Sequence, residues 1–318
     1  MADKGKNGLI EALVRGFSSR KPIRTGSLIT SIYGDMVAPR GGTVWLGSLL
    51  PLLQDFGIND SQARTAMSRL VENDWLQANR VGRKSYYTLT GTGRTRFDEA
   101  TRRIYSGPPH DWSGDFCLVI APGGASPERD QVRKELGWIG FGSLSPGAFI
   151  HPDPDEEVLI SVLSRLAPKD RRPIVIRGAS QSPNGAETLR NLVDDCWTLD
   201  KLAADYDQFT IRFEPLRQDL RSGSRLQDWE CVLARIMLIH EYRRVNLRDP
   251  LLPSQLLPPN WSGTRARELA RDIYGRIAGS SEAWISENFE REDGELPPPN
   301  PGFWQRFGGL PVSSEGNV

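Results

Sequence analysis

Three cysteines in 318 residues are too few and too scattered for a disulfide framework. Cys117, Cys196 and Cys231 form no Cys-x-x-Cys pair, so a zinc site of that kind is excluded and a reducing compartment is expected. Histidine is as scarce, and His110, His151 and His240 share no metal-binding spacing. No stretch approaches about 18 uninterrupted apolar residues, so no membrane-spanning helix is expected. The opening MADKGKNGLIEALVRGFSSRKPIR lacks the long apolar core of a secretory signal, and a cytoplasmic location is expected. GxxxxGK(S/T), GxGxxG after a strand, GxSxG and HExxH are all missing. The expectation is therefore a protein without cofactor or metal, and not an enzyme.

What is present suits a soluble globular chain of two or three domains: 38% hydrophobic and 25% charged residues. The net charge of zero conceals an asymmetry. Residues 1–105 carry 16 basic against 9 acidic residues, and the remainder 24 against 31. A basic front on an acidic body fits a nucleic-acid-binding head attached to a regulatory or dimerising part.

The sharpest signal is NDSQARTAMSRLVENDWLQANRVGRKSYYTLT, residues 59–90. Ala63, Ala66, Met67, Leu70 and Val71 recur at helical spacing, with Asn59 and Gln62 placed to cap the start. Arg64, Thr65, Ser68 and Arg69 lie off that apolar face. A strand follows, then a turn with Arg80, Gly82, Arg83 and Lys84, then a return arm with Ser85, Tyr86 and Tyr87. A helix with small polar and Arg residues outward enters a major groove, and a basic hairpin beside it grips phosphate. This is the layout of a winged helix-turn-helix.

The expected class is α+β with three domains. Residues 1–25 read as a flexible segment, apart from a short helix near Leu9–Phe17, and 26–105 as the winged-helix head. In that head Ser27 caps a first helix, APRGG breaks it, and Thr43 caps a second, VWLGSLLPLLQDF. Residues 112–182 read β-α-β-β-α-β, the order of a ferredoxin-like sandwich. Residues 189–290 read as a helical effector and dimerisation domain, and 291–318, rich in Gly and Pro, as a mobile tail.

The DNA-binding candidates are Arg64, Thr65, Ser68 and Arg69 for base edges, and Arg80, Arg83, Lys84, Ser85 and Tyr86 on the wing. Arg64 has an alternative partner in Asp60, and of Tyr86 and Tyr87 one belongs to the core. Thr43 and Ser48 either hold a phosphate at a helix start or simply cap it. Arg40-Gly41-Gly42 reads equally as a bend presenting a cation or as a plain loop. His240, Tyr242, Arg243, Arg244 and Arg248 form the effector-binding candidate, three arginines for phosphates and a ring for stacking. The competing reading is a salt-bridge lattice with Glu241 and Asp249. Trp197, Trp229, Trp261 and Trp284 read as core or interface aromatics. GGAS at 123–126 is a weak anion site, and Asp115 alone is a weak hint of a metal-dependent nuclease.

Two long motifs in order resemble the PaaX family of bacterial repressors: SLITSIYGDMVAPRGGTVWLGSLLPLLQDFGINDSQARTAMSRLVENDWLQANRVGRKSYYTLTGTG, and HEYRRVNLRDPLLPSQLLPPNWSGTRARELARDIYGRI. The similarity runs over about residues 26–290, with VNLRD between the YRR and DP motifs and a Pro-rich tail as departures. The resemblance implies repression of aromatic-acid catabolism, especially of phenylacetate, and release from DNA by an aryl-acetyl-CoA. Partners expected on this reading are a palindromic duplex operator, an aryl-CoA effector and a second copy of the chain. Two alternatives stand beside it: a metal-dependent nucleic-acid-processing enzyme built on the ferredoxin-like module, and a repressor answering to a free aromatic acid.

Overall fold

The computed structural model describes residues 7–107, 112–121, 127–166, 173–180 and 185–311. In chain order the elements are α1 Gly8–Ser18, α2 Thr25–Ile32, β1 Thr43–Trp45, α3 Leu46–Asp55, α4 Asp60–Glu72, β2 Leu76–Val81, β3 Lys84–Leu89 and α5 Gly91–Tyr105. Next come β4 Asp115–Ile120, α6 Pro127–Trp138, β5 Gly142–Ser145, β6 Ala148–His151, α7 Glu156–Leu166, β7 Ile174–Ala179 and α8 Ala186–Cys196. The rest is α9 Leu199–Arg221, α10 Asp228–Asn246, α11 Ser262–Asn288, β8 Glu290–Arg291, β9 Gly294–Glu295 and α12 Pro301–Trp304.

These elements form two compact units. One contains Met1–Ser106, Gln208–Arg244 and Arg265–Val318, and the other Gly107–Asp207 and Val245–Thr264. Most of the expected helical domain thus belongs with the head, because α10 cannot stand alone. Every residue from Glu230 to Tyr242 is buried, on all faces of the helix. A helix apolar all round requires neighbours on every side.

In the first unit α2 runs into a π turn, Tyr33–Val37, and a 3-10 turn, Ala38–Arg40. The expected break at APRGG therefore comes only at Gly41 and Gly42, whose φ values of 92° and 83° suit glycine. Ser27 does not cap α2, whose N-cap is Arg24 with no side-chain bond. Thr43 is not a helix cap either. It lies in β1, opposite Thr88 of β3, with the two hydroxyls 2.9 Å apart. The sheet has order β1-β3-β2, and α2 and α3 pack against α4.

Residues 7–18 and 301–310 are packed, where the sequence suggested flexible segments. The short N-terminal helix is present, and Ile10, Leu13 and Phe17 of α1 are buried. The tail is anchored by Phe303, Arg306, Phe307 and Leu310, all buried. Glycine and proline signalled mobility there, but the aromatic side chains outweigh them by removing apolar surface from water.

A buried charge network joins these pieces. Asp35, 2% exposed, receives Arg235 Nε at 2.7 Å, Arg306 Nη1 at 2.8 Å, Tyr105 OH at 2.7 Å and Tyr274 OH at 2.8 Å. Arg235 also reaches Glu282, which in turn accepts from Arg40 Nε at 2.9 Å. Burial alone would raise the Asp35 carboxyl, but Arg235 and Arg306 outweigh it and hold it below the usual range.

In the second unit the described elements run β-α-β-β-α-β, the order expected from the sequence. The antiparallel sheet has order β5-β6-β4-β7. Cys117, Val119 and Phe149 of the sheet pack with Val132 and Leu136 of α6 and Leu159 and Val162 of α7. Trp197 closes the sheet's end, its indole N–H donating to Gly140 O at 2.9 Å. The GGAS segment at 123–126 and His110 lie outside the described residues.

Asp35→Asn leaves Arg235 and Arg306 buried beside a neutral amide. Urea unfolding at pH 7 is expected to show a loss of roughly 3–5 kcal/mol, as for other broken buried ion pairs. A variant within 1 kcal/mol of the parent contradicts the role given to this network.

Candidate nucleic-acid interface

The 59–90 segment folds as its sequence indicates. Asn59 Oδ1 accepts from Gln62 N at 2.9 Å, and Gln62 Oε1 accepts from Asn59 N at 3.0 Å, a reciprocal cap. Ala63, Ala66 and Met67 are buried, which turns Arg64, Thr65, Ser68 and Arg69 outward, all exposed. Thr65 spends its hydroxyl proton on Ser61 O at 2.9 Å, and Ser68 on Glu72 at 3.2 Å. Asp60 accepts from Gln54. The acid at the helix start favours the helix dipole.

The hairpin β2–β3 pairs from Leu76↔Leu89 to Val81↔Lys84. Gly82 at its tip has φ 60°, and Arg80 and Arg83 are exposed beside it. Arg80 Nε donates to Gly82 O at 3.2 Å, bracing the turn.

The other wing candidates are placed differently. Lys84 pairs with Glu290 and lies 4.5 Å from the Trp45 ring centroid. The hydrogen bond to Glu290 raises its pKa above that of an ordinary lysine. Tyr86 is the buried tyrosine, at 4% exposure, and its hydroxyl donates to Glu290 at 3.3 Å. Tyr87 is only half-buried, so of the two it is the one nearer solvent. Ser85 pairs with Arg80 across the hairpin and is half-buried. Ser48 lies in the first turn of α3 but is buried, and its hydroxyl accepts from Glu290 N at 3.0 Å. Thr43 lies in β1. Thr43 is thus outside the helix, and Ser48 is turned inward onto Glu290.

Sequence reasoning missed the partner of these residues. The hairpin β8–β9 carries Glu290, Glu292, Asp293 and Glu295, and Glu292 also accepts from Asn79 Nδ2 at 2.9 Å. Asp293-Gly294 was an available turn signal. Arg40 likewise presents no cation outward, because it is 2% exposed and bonded to Glu282.

The expected effector cluster does not converge. His240 is 1% exposed, with Nδ1 2.9 Å from Ser31 Oγ and its ring edge-on to Phe17. Tyr242 packs among Phe209 and Phe307. Arg243 Nε donates to Ser31 Oγ at 2.7 Å, and Nη2 donates to Ser27 O at 3.0 Å. Arg244 lies 3.6 Å from Glu241. Arg248 belongs to the other unit and pairs with Asp205 at 3.0 Å. Asp249 accepts from Tyr206 OH at 2.8 Å. The rings of Trp229 and Trp284 meet at a tilt of 56° with centroids 4.7 Å apart, while Trp197 and Trp261 are buried. Asp115 is exposed and bonded to Ser113, and no group of three His, Cys, Asp or Glu among the described residues is placed to hold a metal. No helix among the described residues is long and apolar enough to cross a membrane.

Burial pushes the His240 imidazole down to about 3. Its folded pKa lies below the unfolded value of about 6.5, so the unfolded state takes the proton first. Stability is then lost as pH falls below about 6.5, at about 1.4 kcal/mol per pH unit, until the folded pKa is reached. His240→Gln is expected to flatten the stability profile between pH 6.5 and 4.5, measured by urea midpoints. An unchanged slope contradicts a buried neutral imidazole.

Three family models match: PaaX-like protein over 24–93, the PaaX protein central Cas2-like domain over 109–188, and the PaaX-like protein C-terminal domain over 197–287. The Transcriptional repressor PaaX of Escherichia coli (strain K12) is 37% identical over 297 residues, 92% of this chain and 93% of that protein. A solved uncharacterized protein, Rv0674 from Mycobacterium tuberculosis, has a TM-score of 0.46 at 20% identity, covering 74% of this chain and 89% of that one. Family models spanning the head, the central sheet and the C-terminal helices, with a relative identical at more than a third of positions, establish that this chain belongs to the PaaX family.

Proposed function

We propose that this protein is a transcriptional repressor that binds a palindromic duplex through a winged helix-turn-helix. In this reading α3 and α4 are the helix-turn-helix, α4 enters the major groove, and the β2–β3 hairpin is the wing. The observation that carries the reading is the exposed face Arg64, Thr65, Ser68 and Arg69 on a capped helix, next to a hairpin tip with exposed Arg80 and Arg83. An Arg on such a helix reads guanine, and tip arginines hold phosphate. The name of the Escherichia coli relative supports the regulatory role over a catalytic one.

Self-association completes the reading, since two heads read two half-sites. The exposed Ile174, Val175 and Ile176 on the edge strand β7 support it. The regulated genes are those of aromatic-acid catabolism, phenylacetate above all, and an aryl-CoA thioester releases the DNA. That part rests on family resemblance. His240, Tyr242 and Arg243 contribute to it by holding helices together, not as a clamp on the effector.

Fluorescence anisotropy on a promoter fragment bearing an inverted repeat tests the DNA reading. Arg83→Ala is expected to weaken specific and random DNA alike and to lower the salt slope by about 1. Arg69→Ala is expected to lose about 1–3 kcal/mol of discrimination between the two. Lys84→Ala is expected to change affinity less than Arg83→Ala, because Glu290 already neutralises it. Parent-like binding by both arginine variants overturns the assignment of these faces.

A further inference from the structure

The surface between α1 and α9 holds a feature that DNA binding does not use. It is a cleft of about 260 Å³, walled by Leu9 and Leu13 on one side and Pro215 and Leu216 on the other. Arg20 and Arg212 also line it. Both guanidiniums point their Nη1 at the same carboxylate, Glu241, at 2.7 Å each. With Arg244 3.6 Å away, three cations share this one anion, so the site keeps an excess positive charge. Each guanidinium has five donors, and each spends one on Glu241. Their Nη2 and Nε groups remain for a second acceptor, and paired arginines suit a carboxylate.

We propose that this cleft is a binding site for a small amphipathic monocarboxylate, its carboxylate on Arg20 and Arg212 and its apolar body between Leu9, Leu13, Pro215 and Leu216. Charge complementarity and size select the ligand. Drug-sized ligands occupy pockets of roughly 300–1,000 Å³, so a smaller cleft takes a compact acid and not a nucleotide-bearing thioester. An apolar wall without the arginines would take a neutral molecule equally well.

The site also has a path to the head. Glu241 precedes by two residues the Arg243 that holds Ser27 and Ser31 of α2, and it follows the His240 that meets Ser31. Helix α2 packs on α4. A ligand that draws Arg20 and Arg212 from Glu241 changes the charge around this turn of α10. The regulatory meaning rests on the proposed DNA binding, whereas ligand binding itself does not.

Calorimetry on the full chain, with octanoate as probe and octanol as its uncharged counterpart, tests the site. Octanoate is expected to bind at least tenfold more tightly than octanol. The double variant Arg20→Met, Arg212→Met is expected to lose that preference. Gly16→Leu supplies a second variant with the arginines intact. Gly16 lines the cleft, and a Cβ there meets nothing within 4 Å. It is expected to abolish octanoate binding at an unchanged melting temperature. Equal binding of acid and alcohol, no octanoate binding at millimolar concentration, or undiminished binding by Gly16→Leu overturns the site. Anisotropy with DNA then separates the two ideas: octanoate binding with no change in DNA affinity overturns the path to α2 and keeps the site.

Discussion

The carboxylate of Asp35 is the point on which the first unit depends. It sits in the head, yet its partners Arg235, Arg306, Tyr105 and Tyr274 come from α10, the C-terminal segment, α5 and α11. An isolated buried charge would be prohibitive, whereas one that receives four donors is stable and highly directional. Arg235, at 0% exposure in the middle of the buried α10, has the same requirement from the other side and meets it with Asp35 and Glu282. The head is therefore not a bead on a linker. Its turn at Tyr33–Val37 is tied through Asp35 to Arg235, 200 residues away in sequence.

That constraint also sorts the cations. Arg40, Arg235 and Arg306 face inward, and Lys84 is matched by Glu290. What remains outward on the candidate face is Arg64, Arg69, Arg80 and Arg83. A sequence count of basic residues in 1–105 overstates the charge offered to DNA, because some of it is committed to the protein's own acids. The same logic distinguishes the α1–α9 cleft, where two guanidiniums meet a single carboxylate.

How much was legible in the sequence follows the range of each interaction. Helix α4 and its cap were readable because every determinant lies within about one turn, from Asn59 to Gln62 and along the Ala63 to Val71 stripe. The central β-α-β-β-α-β order was readable from short apolar runs and turn residues. Thr43 was misread because Ser or Thr before an apolar run signals a cap, while its pairing with Thr88 is nonlocal. The inward placement of Arg40 was not legible for the same reason, since Glu282 lies 242 residues from it, nor was the packing of residues 303–310. The arginine cluster was open between an effector site and a salt-bridge lattice, and the structure places Glu241 in ion pairs with Arg20, Arg212 and Arg244. Successive helical residues point about 100° apart, so Arg243 and Arg244 cannot share a face, and α10 ends before Arg248.

The central claim is that head and C-terminal helices form one cooperative unit held through Asp35. Native-state hydrogen exchange addresses it directly, since local stability is read amide by amide. The account predicts that the amides of Leu49 and Met67 in the head and of Ile236 and Leu269 in α10 and α11 open with one common free energy, and that Asp35→Asn lowers all four together. Head amides that open several kcal/mol more easily than those of α10, unaffected by Asp35→Asn, would contradict it.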